Sequence, residues 1–128
     1  MISKNLSFSP SAYSETSDVD SFDAVLLEVI NNVLENIFGQ KFKNWILQIM
    51  ENRYTLTQEE IPLKAHVFSD ALNAILGKSS IIIEDLILDI VHEKFNVEFK
   101  WKNNSNFSHY VNELKILSIK EAREGEVN

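Results

Sequence analysis

The chain has 128 residues, with 19 Asp and Glu against 12 Lys and Arg, a formal net charge of −7, and 45% hydrophobic and 24% charged residues. That length suits one domain, which buries roughly two-thirds of its unfolded surface without help from metal or disulfides. The acid excess argues against nucleic acid and anionic membranes as partners, and the absence of Cys excludes disulfides, thiolate metal sites and a Cys nucleophile.

Three Gly and two Pro are too few for a turn-rich all-β fold. The opening "MISKNLSFSPSAYSETSDVD" has one Lys and no apolar core run, so no signal peptide is expected. No apolar segment approaches the ~20 residues needed to span a bilayer. A cytoplasmic setting fits these features. Residues 1–19 are Ser-rich, carry Pro10 and lack helical periodicity. They read as a flexible tail, the alternative being a docking or phosphorylation segment.

A first helix is expected from Asp20 or Ser21, either of which can serve as N-cap. Phe22, Leu26, Val29, Ile30, Val33 and Ile37 repeat at three and four and form its inward face. Gly39 ends it, because glycine tolerates positive φ. A second helix covers about Lys41 to Tyr54, with Phe42, Trp45, Ile46, Ile49, Met50 and Tyr54 on one face. Trp45 and Tyr54 read as core packing in preference to a ligand cage.

In "TQEEIP", Thr57 and Glu60 match a capping box for a short turn that Pro62 limits. A third helix is expected over Ala65 to Leu76, with Val67, Phe68, Ala71, Leu72 and Ile75 inward and Gly77 at its end. A fourth runs from Ser79 or Ser80 to Phe95. Its apolar arc is broad, which predicts a central helix touching most of the others. "NVEFKWK" then alternates Val97, Phe99 and Trp101 with Glu98 and Lys100, the pattern of a half-buried extended segment. Phe107, Tyr110, Val111, Leu114 and Leu117 return to helical spacing, for a last helix from about Asn106 to Ile119. Residues 120–128 read as a frayed tail.

The fold expected is therefore all-α: a compact bundle of four main helices plus a C-terminal helix over residues 20–119, with a short extended segment between helices four and five. The predicted core is Phe22, Leu26, Val29, Val33, Ile46, Met50, Phe68, Leu72, Ile75, Leu86, Ile87, Ile90, Val91 and Phe95.

Chemistry is sparse. Asp85, Asp89 and His92, spaced i, i+4 and i+7, form one stripe on the fourth helix. A helical dimetal site needs inward Glu and two Glu-x-x-His motifs, and "DIVH" supplies one Asp-x-x-His with no second copy. The stripe lies opposite the apolar arc and reads as a solvated face. As a phosphotransfer histidine, His92 would have Lys94 near in sequence but pointing away, and Asp89 and Glu93 would oppose a phosphoryl group. Phe99, Lys100, Trp101 and Lys102 interleave aromatic and basic residues as a base-stacking strand would, though packing on the bundle is the simpler reading. No catalytic residue, cofactor or metal is assigned.

Five stretches, "FDAVLLEVI", "EEIP", "FSDALNAILG", "EDLILDIVHEKF" and "FSHYVNEL", together resemble the Nitrosopumilus output-domain family of small helical domains from thaumarchaeal proteins, over about residues 21–117. The match falls on Ile61, Pro62, Phe68, Ala71, Leu72 and Gly77. Members carry more Gly and Ala after the third helix, where this chain has "GKSS". The resemblance implies a regulatory or signalling output role and carries no catalytic residues with it.

The function expected is a non-catalytic cytoplasmic regulatory, signalling or protein-interaction module with a protein partner. The alternative is a small-ligand sensor with Trp45 and Trp101 near an aromatic pocket. Val97, Phe99 and Trp101 are the interaction candidates, either pairing antiparallel with the same segment of a second copy as a homodimer or folding down on their own bundle.

Overall fold

The apolar periodicities become five α-helices in the computed structural model, which describes residues 18–97, 101 and 105–127. They are α1 (Asp18–Phe38), α2 (Gln40–Tyr54), α3 (Ala65–Leu76), α4 (Ser80–Phe95) and α5 (Phe107–Val127). A single 3-10 turn (Gln58–Glu60) precedes α3, and another (Gly77–Ser79) joins α3 to α4. No strand occurs among the described residues, and the fold is an all-helical bundle with a fifth, C-terminal helix.

Two boundaries differ from the sequence reading. Helix α1 begins at Asp18, so the last two residues assigned to the tail belong to the helix; residues 1–17 lie outside the described residues. Helix α5 continues to Val127. The stretch expected to fray from residue 120 contains Glu121, Ala122, Arg123 and Glu124, all strong helix formers that propagate a helix already nucleated upstream. Of the extended segment, residues 98–100 and 102–104 lie outside the described residues.

All five helices contribute to one core. Helix α1 packs on α2, α4 and α5; α3 packs on α2, α4 and α5; and α4 packs on α5. The principal contacts of α2 are with α1 and α3 alone. Helix α4 touches most of the others, as its broad apolar arc predicts: it packs on α1, α3 and α5, though α1, α3 and α5 each have three main neighbours as well, and its outer face is left to solvent.

The core contains Phe22, Leu26, Val29, Ile30, Val33 and Leu34 from α1, Ile46 and Met50 from α2, and Phe68, Ala71 and Leu72 from α3. Ile83, Ile87, Leu88 and Val91 come from α4, and Phe107, Tyr110, Val111 and Leu114 from α5. Each large aliphatic side chain so buried contributes about 1.5–3 kcal/mol. Phe22 stacks on Phe95 at 5.3 Å, joining α1 to α4, and Phe68 meets Phe107 at 5.8 Å, joining α3 to α5. Of the predicted core, Ile75, Ile90 and Phe95 are only half-buried, and Leu86 is exposed. Ile37 is also exposed, although it shares the meridian of Val33; it sits one turn further along, where the helix is about to end.

The connections explain how α2 is held. Gly39, at φ 87°, turns the chain, and its N–H donates to Glu35 C=O at 2.8 Å. Lys43 closes the turn with an ion pair to Glu35, also at 2.8 Å. At the other end Thr55 adopts left-handed φ 51°, ψ 41°, and Leu56 drops into the core while its N–H donates to Met50 C=O. The Thr57–Glu60 capping box is formed, with Glu60 Oε1 accepting from the Thr57 N–H at 3.0 Å and from its hydroxyl at 3.1 Å. These bonds hold the Glu60 carboxyl below its usual range, and Lys64 adds to the effect.

Candidate functional site

Helix α2 has more apolar surface than its two neighbours can cover. Ile46 and Met50 point inward, at zero exposure. Phe42, Trp45 and Ile49 follow the next meridian, and there the core has run out. Trp45 is 48% exposed and Phe42 37%. The reading of Trp45 as core packing is therefore overturned; its ring stacks on Phe42 at 5.1 Å, and Phe42 leans on Phe38 of α1 at the same distance.

Below Trp45 the α2–α3 groove opens into a hollow of about 270 Å³, lined by Trp45, Ile49, Arg53, Tyr54, Ala74 and Ile75. Lys41 and Arg53 are exposed on the same helix. The surface is thus an aromatic stripe with cationic ends, on a chain whose net charge is −7. Arg53 was not singled out by periodicity; the signal was available in charge, since α2 carries three cations against the single acid Glu51.

The outer face of α4 has the opposite character. Ile82 is 69% exposed and Leu86 39%. They continue in line with Asp89 and Glu93, and Leu86, Asp89, Ile90, His92, Glu93 and Asn96 border an open hollow of about 470 Å³. Leu86 is a correction to the predicted core. The helix has five buried positions, Ser80, Ile83, Ile87, Leu88 and Val91, and Leu86 falls about 60° outside the arc they cover. The run "SIIIED" held the missed signal: three consecutive isoleucines cannot all face one side of a helix.

The Asp85, Asp89 and His92 stripe is where the spacing put it. Asp85 and Asp89 are exposed and His92 is half-buried. Asp89 and His92 share the hollow; Asp85 does not line it. Among the described residues no three His, Asp or Glu side chains come together so as to hold a metal ion. Partial burial raises the Asp85 carboxyl above its usual value, and the negative charge of Asp89 adds to this.

Nearby Glu84 ties α4 to α3, accepting the Ser69 hydroxyl at 2.6 Å. Burial pushes its carboxyl up, opposed by that hydrogen bond and reinforced by the charges of Asp85 and Asp70.

The two described interaction candidates, Val97 and Trp101, differ in burial. Val97 is buried at 7% exposure and belongs to the core, so it is withdrawn as a contact residue. It follows Asn96, whose left-handed backbone caps α4 and turns Val97 inward. Phe99 lies outside the described residues. Trp101 is 51% exposed and rests edge-on against Tyr110 of α5 at 5.1 Å. Trp101 is not among the residues lining the hollow beside Trp45.

Comparison with protein-family models, curated proteins and solved structures finds no match for this chain. No helix among the described residues is long and apolar enough to cross a membrane.

Proposed function

We propose that the protein is a non-catalytic, cytoplasmic regulatory or signalling module that acts by protein–protein contact, and that the α2 aromatic face is its contact surface. The observation that carries this reading is the exposed Phe42–Trp45 stack. Large aromatic rings with a neighbouring Arg are the residue types that dominate binding energy at protein interfaces. Leaving them in water has no benefit for the isolated fold. The resemblance to the archaeal output-domain family supports the regulatory role, and a chain without Cys suits the cytoplasm.

The sensor reading rests on the hollow beside Trp45, with Tyr54 and Arg53 in its wall. At about 270 Å³ it falls just under the ~300–1,000 Å³ of ordinary ligand pockets, which favours a partner's side chain as its occupant.

Native mass measurement of the chain isolated from its own host tests both. The expected result is a protein complex that Trp45→Glu abolishes while helicity is retained. A bound small molecule that quenches Trp fluorescence would establish the sensor instead. A complex indifferent to Trp45→Glu would overturn the choice of surface.

A further inference from the structure

The α2 face and the outer α4 face of this one chain are complementary in charge, in apolar content and in spacing. On α2 the outward residues Phe42, Trp45, Ile49 and Arg53 fall at steps of 0, 3, 7 and 11. On α4 the residues Ile82, Leu86, Asp89 and Glu93 fall at 0, 4, 7 and 11. Each series stays within one stripe of its helix and spans about 16 Å at 1.5 Å per residue. Laid parallel, the two helices set Phe42 and Trp45 against Ile82 and Leu86, and Arg53 against Asp89 and Glu93. Laid antiparallel, they set the aromatic rings on carboxylates and the guanidinium on isoleucine.

We propose that this chain binds a second copy of itself head to tail, the α2 aromatic face of one protomer receiving the outer α4 stripe of the next. The proposal rests on the reading of α2 as a contact surface and names the occupant of that surface. Charge selects the occupant. Helix α2 is the one helix of the five with more cations than acids, while α4 has four acids and a single cation, Lys94. A copy of an acidic chain can approach its own carboxylates only with such a cationic face in front. Shape agrees: the hollow under Trp45 can take an aliphatic side chain such as Leu86, and the open hollow bordered by Asp89 and Glu93 can take the Arg53 side chain. Because α2 and α4 are not principal neighbours in the bundle, both faces can be occupied together. The contact joins two different patches, so it propagates unless a rotation closes it.

Sedimentation velocity on the full chain decides the matter. The wild-type chain should associate at tens of micromolar, and the association should weaken about ten-fold between ~0.05 and ~0.5 M salt. Trp45→Glu spoils only the α2 face and Leu86→Lys only the α4 face; both residues are exposed, and circular dichroism checks that each variant keeps its helices. Each variant alone should be monomeric. Mixed in equal amounts they should form a one-to-one dimer and nothing larger, because one intact α2 face then meets one intact α4 face. A wild-type chain that stays monomeric at low salt overturns the proposal. So does a mixture that stays monomeric, or a Leu86→Lys variant that assembles like the wild type. None of these three results touches the contact-surface reading, which stands or falls on the host complex and its response to Trp45→Glu.

Discussion

Two aromatic stacks in this molecule have nearly the same ring geometry and opposite surroundings. Phe22 and Phe95 stack at 5.3 Å with an interplanar angle of 28°, joining α1 to α4. Phe42 and Trp45 stack at 5.1 Å and 29°, along the outside of α2. Phe22 has no exposure; Trp45 is half in water. The difference lies in the number of neighbours, since α1 and α4 each have three helices against them and α2 has two. Ring pairing alone therefore does not indicate a core. An amphipathic helix at the edge of a bundle can pair its aromatics and still leave them available to a partner.

Truncation separates the closed core from the α2 face by the largest margin. Phe68→Ala, in the closed core, should cost about 3–5 kcal/mol of unfolding free energy. Trp45→Ala should cost less, about 1–2 kcal/mol, since half of its side chain is already in water. Urea melts followed by circular dichroism measure both. Equal losses would mean that the α2 face is structural and not a contact surface.

The next effect belongs to the closed side. Lys115 of α5 holds Asp23 of α1, with Nζ 3.1 Å from Oδ1 and both side chains at 19% exposure. Lys115→Ala leaves that carboxylate largely enclosed and should cost about 1–3 kcal/mol, most of it lost again in the Asp23→Asn background. A change below the error of the melt would show that α5 is held by its apolar contacts alone.

A smaller effect of opposite sign is expected at the C-terminus of α2. Thr55 and Asn96 adopt the same left-handed conformation after α2 and α4. Asn adopts it readily, and a β-branched residue only at a cost in strain. Thr55→Asn should raise stability by about 0.5–1 kcal/mol, visible as a higher denaturant midpoint at unchanged slope.

The smallest effect is a pH dependence at the α3–α4 contact. Glu84 has a folded pKa above its unfolded value, so the unfolded chain deprotonates first as pH rises. Its contribution is most favourable at low pH and is lost as pH climbs from the unfolded value through the folded one. Glu84→Gln keeps an acceptor for Ser69 and removes the charge. At neutral pH it should stabilise by a few tenths of a kcal/mol after solvent screening, and by nothing where the wild-type carboxyl is protonated. Destabilisation at neutral pH would mean that the Glu84 charge favours the folded state.

Local signals set the helices and their ends. The three- and four-residue spacing from Phe22 to Val33, Gly39 and Gly77 at positive φ, and the Thr57–Glu60 box all lie within a few residues of what they control. For that reason α3 could be delimited at Ala65 and Leu76 from the chain alone. What periodicity cannot contain is how many neighbours a helix will have. Phe42, Trp45, Leu86 and Ile37 all bear the marks of buried residues, and all are exposed, because too few helices lie against the faces that carry them. Val97 follows the fold-down alternative that the sequence left open, turned into the core by a left-handed residue at Asn96 that alternation does not reveal. Composition and spacing are enough to make the chain helical, acidic and built from amphipathic segments. Which apolar faces are left over is set in the folded bundle, because burial depends on contacts between residues far apart in the chain.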